Sequence, residues 1–178
     1  MQPEQLSSLL IDLKRRPLHR DGESARSEFE PSDTLESVLP HRDPFLLLDA
    51  VEAVDLSART ARGRRLIRPE DPVLAGHFPG APSYPAALQL EMMGQLGLFL
   101  ARLVSRGSLS PVARASSLPA RVLRTHHAMY ITPIRPGEAL QVHASIVEQD
   151  ELTVIVAGQL IREDVITAVA VQELYLEA

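Results

Sequence analysis

The sequence predicts an α+β fold, with an antiparallel sheet wrapped against one long buried helix. Three observations point there. Residues 85–104 are apolar nearly all round a helix, with Leu88, Leu90, Met92, Met93, Leu96, Leu98, Phe99 and Leu100 leaving no polar face. A helix of that kind belongs inside a protein. Four segments after it, 122–133, 139–148, 152–161 and 165–176, have the character of strands. The length of 178 residues suits one domain with a real hydrophobic core.

Taken in order, the elements read as follows. Leu6, Leu9, Leu10 and Leu13 have helical spacing, which predicts a short amphipathic helix. Residues 14–32 are polar and charged with almost nothing to bury, the composition of a flexible linker. Residues 1–33 are therefore expected to be an N-terminal extension, a tail rather than a docking element, ahead of a folded domain at 34–178. Asp33 and Glu36 have capping-box spacing before Leu35, Val38 and Leu39, and Pro40 ends that short helix. Residues 45–49 are extended in character, and 51–68 read as a strand or hairpin rich in arginine. The Pro- and Gly-rich stretch 72–85 reads as a loop. Pro85 suits the first position of the long helix, which ends near Gly107. Residues 105–119 read as a mobile loop. Pro136-Gly137, Asp150-Glu151 and Glu163-Asp164 mark turns between the later strands, so these are expected to form an antiparallel meander.

Composition excludes several classes. The net charge is −5, which disfavours a nucleic-acid partner. Lys14 is the only lysine, and the arginines suit phosphate or carboxylate and so an acidic partner. With no cysteine there is no disulfide and no thiolate metal site, which fits a reducing compartment. Residues 1–10 lack the features of a secretory signal. No apolar run reaches membrane-spanning length, because Gln89, Glu91, Gln95 and Arg102 interrupt 85–104. A soluble cytoplasmic protein with no membrane partner is expected. No phosphate loop, nucleotide fingerprint or metal cluster is visible, so no cofactor and no metal are expected.

The chemistry is concentrated between residues 76 and 91. His77 sits in a Pro/Gly loop, and Glu91 lies fourteen residues on, in the apolar helix. A carboxylate on a buried helix is costly unless protonated or partnered. Desolvation would raise its pKa and make it a proton donor near neutral pH. The bland alternative has Glu91 facing solvent or paired with an arginine, but buried glutamate is uncommon, which favours function. His77 is the natural acid/base partner, and each such group contributes about 10²–10⁴-fold in rate. The free N–H groups at Ala86 and Ala87 open the helix and could hold an oxyanion, a contribution of about 10²–10³-fold. A base, an acid and an oxyanion site together suit proton abstraction beside a thioester carbonyl with loss of a β-hydroxyl. The remaining histidines are weaker candidates. His126 and His127 are adjacent on a strand and point to opposite faces. His19 and His143 have no evident partner in the sequence.

Three blocks carry a family resemblance. They are Leu39-Pro40-His41-Arg42-Asp43-Pro44-Phe45-Leu46-Leu47-Leu48-Asp49; then Gly76-His77-Phe78-Pro79-Gly80 with Pro82, Pro85, Leu88, Glu91, Met93 and Gln95; then Ala128 to Glu138, through Pro133 and Pro136-Gly137. In this order they resemble the FabZ-type 3-hydroxyacyl-acyl-carrier-protein dehydratases, over about residues 33–178. The second block is the most specific, since the His–Glu spacing is kept. The resemblance implies a hotdog fold and a working homodimer, in some members a trimer of dimers. His77 of one subunit would face Glu91 of the other. His77 would take the α-proton, Glu91 would assist the β-hydroxyl, and the Ala86 N–H would hold the carbonyl. Pro85, Tyr84 and Gln95 would belong to the substrate-binding surroundings, with Tyr84 near the wall or mouth of an acyl tunnel. The partner would be an acyl carrier protein bearing a phosphopantetheine-linked chain.

Ala86 stands where the family has glycine, and Met92 replaces a small residue, changes expected to reshape substrate choice. The implied activity is dehydration of a 3-hydroxyacyl thioester to the trans-2-enoyl product, in fatty-acid, polyketide or polyene-type biosynthesis. The alternatives are a hotdog acyl thioesterase and a non-catalytic carrier-binding subunit of a heteromeric dehydratase. An isomerising FabA-type enzyme fits less well, because that branch has Asp where Glu91 stands.

Overall fold

The computed structural model describes residues 1–19, 35–109 and 120–176. Residues 20–32 of the expected linker at 14–32, and most of the expected loop at 105–119, lie outside these residues. The chain forms α1 (Pro3–Leu13), a single turn α2 (Glu36–Val38), β1 (Ala50–Asp55), β2 (Thr60–Leu66), α3 (Pro72–Gly76) and α4 (Ala86–Arg106). Four strands follow, β3 (Ala120–Tyr130), β4 (Ala139–Gln149), β5 (Thr153–Arg162) and β6 (Val165–Leu176). Residues 45–49 are not a strand, although Leu47 and Leu48 are buried, and the expected loop 72–85 contains α3.

All six strands join one antiparallel sheet in the order β1-β2-β4-β5-β6-β3. The expected meander is therefore only partly present. Strands β4, β5 and β6 are neighbours in sequence and space, but β3 pairs with β6 at the sheet edge and β4 pairs with β2. The link from β3 to β4 explains this. It contains Pro133 and Pro136 and is too long for a tight hairpin, so it lets the chain cross between distant positions. The two later turns are tight, and Glu163 and Asp164 both take positive φ (49° and 65°), the backbone of a two-residue hairpin turn.

Helix α4 lies against one face of the sheet. Pro85 is its N-cap, not its first residue, and the Pro85 carbonyl accepts from the N–H groups of Leu88 and Gln89 (both 3.1 Å). Gly107, at φ 61°, ends the helix in the left-handed region that glycine adopts without strain. Met93, Leu96, Phe99, Leu100 and Leu103 are buried against Val142, Val154, Val156, Leu160 and Leu174 from the sheet. The approach is closest at two glycines. A Cβ on Gly97 would lie 2.8 Å from Val156 Cγ2, and one on Gly158 would lie 2.7 Å from Met93 Cβ.

The other face of the sheet is covered by the N-terminus. Leu6, Leu9, Leu10 and Leu13 of α1 pack on Ile155, Ala157, Val169 and Val171 of β5 and β6. The helix is as expected, but it is not a bare tail. Fully buried Gln159 fastens it: its Nε2 donates to the carbonyls of Leu13 (2.6 Å) and Arg16 (2.9 Å), and its Oε1 accepts from the Leu18 N–H (2.8 Å). These bonds satisfy carbonyls left open at the helix end. His19 continues across the sheet, where its N–H donates to His143 Nδ1 (3.3 Å) and its ring meets that of His143 edge-on. The two histidines without an evident partner in sequence thus meet each other. Among the described residues, no helix is long and apolar enough to cross a membrane.

The close seat of α4 has a measurable consequence. Gly97→Val is expected to lower stability by about 1–3 kcal/mol through overpacking against Val156, seen as a lower denaturant midpoint at an unchanged slope.

Candidate active site

Two separate supports hold the chemistry-bearing residues. The first carries His77. Asp71 caps α3, its Oδ1 accepting the Val73 N–H (3.1 Å), and α3 delivers His77 at its C-terminal end. The His77 carbonyl accepts the Ser83 N–H (2.9 Å), and His77 Nδ1 lies 2.9 Å from the Ser83 carbonyl. A carbonyl can only accept, so Nδ1 carries the proton and Nε2 of the neutral ring keeps its lone pair. The loop therefore presents a base. Phe78 stacks on the ring at 4.1 Å and is itself exposed.

The second support is α4. Glu91 sits in the helix with Gln95 one turn on. Gln95 is buried, and both its amide protons are used within the chain. Its Oε1 accepts the Leu47 N–H (2.9 Å), and its Nε2 donates to the Phe45 carbonyl (2.8 Å) and to Glu91 Oε1 (2.9 Å). Gln95 therefore has no proton left to donate to a substrate, although it borders the pocket beside Glu91. It fixes segment 45–47 and the Glu91 carboxyl instead.

Glu91 has a partner that the sequence reasoning missed. His41 Nε2 lies 3.2 Å from Glu91 Oε1. His41 was read only as part of a family block, and no local spacing signals a contact across fifty residues. This bond is the largest influence on the carboxyl and lowers its pKa, ahead of burial, which raises it, and the Gln95 bond, which lowers it. The expectation of a raised pKa is thus corrected within the chain. Among the described residues no arginine pairs with Glu91, and its side chain is half-buried rather than turned fully to solvent.

Glu91 borders a pocket with His41, Gly94, Gln95, Leu98 and the β3 and β6 residues Ala120, Arg121, Val122 and Leu174. Its wall is largely apolar. Met92, expected to shape an acyl tunnel, is instead fully buried in the main core. Tyr84 is also a core residue and not part of this wall. Its hydroxyl has no hydrogen-bond partner among the described residues, and burial pushes its pKa up to about 12 against the pull of nearby Arg65. Tyr84 contributes through its backbone, with its N–H bound to the Ile134 carbonyl (2.7 Å) and its carbonyl bound by Gln89 Nε2 (3.0 Å). These bonds fix the loop that enters α4. The exposed Ala86 and Ala87 lead the helix, and the first bonds to the Pro85 carbonyl come from the two residues after them. Their N–H groups point out of the positive end of a long helix.

Among the described residues, no hydrogen bond or ion pair joins His77 to Glu91, and His77 is not in the wall of the Glu91 pocket. His77 and Glu91 are held by different supports, the loop at 77–83 and α4, without direct contact among the described residues. His126 pairs with Glu173 (2.9 Å), outside this arrangement.

The chain matches known proteins over most of its length. Residues 39–170 match the FabA-like domain family. The 3-hydroxyacyl-[acyl-carrier-protein] dehydratase FabZ of Campylobacter lari is 34% identical over 146 residues, which are 78% of this chain and 96% of that protein. The FabZ of Sulfurimonas denitrificans is 32% identical over 136 residues, 76% of this chain and 89% of that protein. Among solved structures, the dehydratase heterocomplex ApeI:P from Xenorhabdus doucetiae superposes with a TM-score of 0.64 at 18% identity, covering 82% of this chain and 91% of that one.

Two stability measurements follow from the geometry. Gln95→Ala strands the buried Leu47 N–H and is expected to cost about 1–3 kcal/mol in denaturant unfolding. A lowered carboxyl pKa stabilises the fold above the unfolded value, and that contribution is lost as pH falls through the folded value. The stability advantage of the native chain over Glu91→Gln is therefore expected to shrink on acidification below the ordinary carboxyl range.

Proposed function

The chain belongs to the FabA-like family of hotdog-fold, FabZ-type dehydratases, and from that premise we propose that it removes water from a 3-hydroxyacyl chain carried as a thioester on an acyl carrier protein. The observation that carries this reading is the state of His77. Its Nδ1–H is held by the Ser83 carbonyl, leaving Nε2 available as a base. His77 Nε2 takes a proton from the carbon beside the thioester carbonyl. The Ala86 N–H holds the negative charge that develops on the carbonyl oxygen. The bond from the β-carbon to its hydroxyl breaks as the double bond forms, and a proton from the Glu91 carboxyl converts the departing hydroxyl to water. The products are the trans-2-enoyl thioester and water, with an imidazolium at His77 and a carboxylate at Glu91. Exchange with solvent restores both. Cover by an acyl chain and a second subunit adds desolvation at Glu91, which acts against the His41 bond.

A homodimer completes the site in this reading. Support comes from β3, a long edge strand with Val122, Leu123, Met129 and Tyr130 exposed. An apolar, unpaired edge is a ready surface for pairing with another chain. Pairing β3 with β3 of a second copy would bring that copy beside the Glu91 pocket, which Ala120, Arg121 and Val122 of β3 help to line. The methyl group of Ala86 narrows the carbonyl site relative to the family's glycine. This supports selection among acyl substrates of a specialised pathway, such as polyketide or polyene assembly, without removing the N–H.

The test is to incubate the protein with 3-hydroxyacyl carrier proteins and follow their mass. Loss of one water is expected, with His77→Ala and Glu91→Gln each reducing the rate by about 10²–10⁴-fold. Release of free acid would make the protein a thioesterase, and an unchanged substrate at every chain length would make it a binding subunit.

A further inference from the structure

The contacts at Glu91 single out a residue with no assigned role. His41 Nε2 and Gln95 Nε2 both approach Oε1, at 3.2 Å and 2.9 Å. Among the described residues no hydrogen bond or ion pair reaches Oε2. An oxygen that already receives two N–H donors is not the one that carries the acidic proton, because a proton there would face a donor. The proton of the neutral carboxyl therefore belongs on Oε2. On the imidazole the assignment is equally constrained. Nδ1 is buried without a partner. Nε2 faces a carboxylate oxygen, which can only accept, so Nε2 carries a proton and donates to Glu91. The ring is held in place by Phe45, stacked at 6.4 Å, whose carbonyl is fixed by Gln95.

We propose that His41 is the positioning residue of Glu91: with Gln95 it occupies Oε1 and so presents Oε2, and any proton on it, to the substrate. This deepens the dehydratase reading and rests on it.

Other ionisable groups around the carboxyl are occupied elsewhere. Arg42, next to His41, is bound to the Leu39 and His41 carbonyls and to Glu36 (3.2 Å). Arg121 borders the pocket from β3, but its guanidinium lies over the Tyr175 ring (5.3 Å). From β6 the wall is Leu174, and from α4 itself it is Gly94, Leu98 and the uncharged Gln95. His41 is therefore the titratable side chain that addresses Glu91 directly.

Removing the donor has a signed consequence. Without it, desolvation is opposed only by Gln95, so the Glu91 pKa rises, and the carboxyl is free to turn Oε1 toward the pocket. His41→Ala and His41→Gln are to be compared, because glutamine restores an N–H donor without a titrating ring. Two readouts are needed. The first is the Glu91 carboxyl titration followed by carbon-13 NMR of the full-length protein, assigned with Glu91→Gln; it requires no turnover. The second is the pH profile of kcat/KM for dehydration. The expected result is an upward move of the Glu91 titration in His41→Ala, with return toward the native value in His41→Gln. The limb of the rate profile that disappears in Glu91→Gln should move with it. Turnover should fall by about 10–100-fold in His41→Ala, the scale of a misplaced reacting group, with KM nearly unchanged. An unmoved titration in a folded His41→Ala protein, or failure of glutamine to rescue, would overturn the assignment. If the native protein dehydrates nothing while the titration still moves, the contact stands and the dehydratase reading fails instead.

Discussion

The constraint from which the rest follows is the pressing of α4 onto the sheet. A helix apolar nearly all round has to be covered, and here β5 approaches it so closely that Gly97 and Gly158 leave no room for a methyl group. That seat fixes the rotation of the helix. One side is spent on the core, so Glu91 and Gln95 are carried at a set height on the side facing residues 41–47 and the edge strand β3. Gln95 then converts position into orientation. Buried, with both amide protons engaged, it ties the helix to a segment fifty residues earlier and holds the carboxyl from one side.

The electrostatics of the site follow from the same geometry. A carboxyl on a buried helix is destabilised as an anion, and desolvation alone would keep it protonated. Two N–H donors on one oxygen reverse that balance within the chain. The carboxyl is left poised between opposing influences, one supplied by its own chain and one by whatever covers the pocket. His77 is set by a different device, a carbonyl that selects its tautomer. Neither device depends on the other, which is consistent with a site whose halves are held by separate supports.

Much of this was legible in the sequence. The run 85–104, bounded by Pro85 and Gly107, announced the buried helix, because apolar periodicity and its terminators act locally. Glu163-Asp164 announced its turn for the same reason. The spacing of His77 and Glu91 singled out the two candidates, since a carboxylate in such a helix is conspicuous. What was not legible depends on contacts between distant segments. Strand β3 carries the same strand signals as its neighbours, yet lies at the far edge, because the long Pro-bearing link to β4 removes the hairpin constraint. The N-terminal helix was legible as a helix but not as a docked one, since its anchor is Gln159, far along the chain. His41 and Gln95 were visible in the family blocks. Their service to Glu91 appears only when residues 41–47 are folded onto α4.

The central claim is that one working site draws His77 and Glu91 from two copies of the chain. It is tested most directly by mixing two inactive proteins, His77→Ala and Glu91→Gln, after subunit exchange. In a two-fold dimer each mixed pair contains one site with both changes and one with neither, so random exchange should restore about a quarter of native dehydratase activity. If the two residues served the same site within a single chain, every site would keep one defect, and the mixture would stay as inactive as its parts.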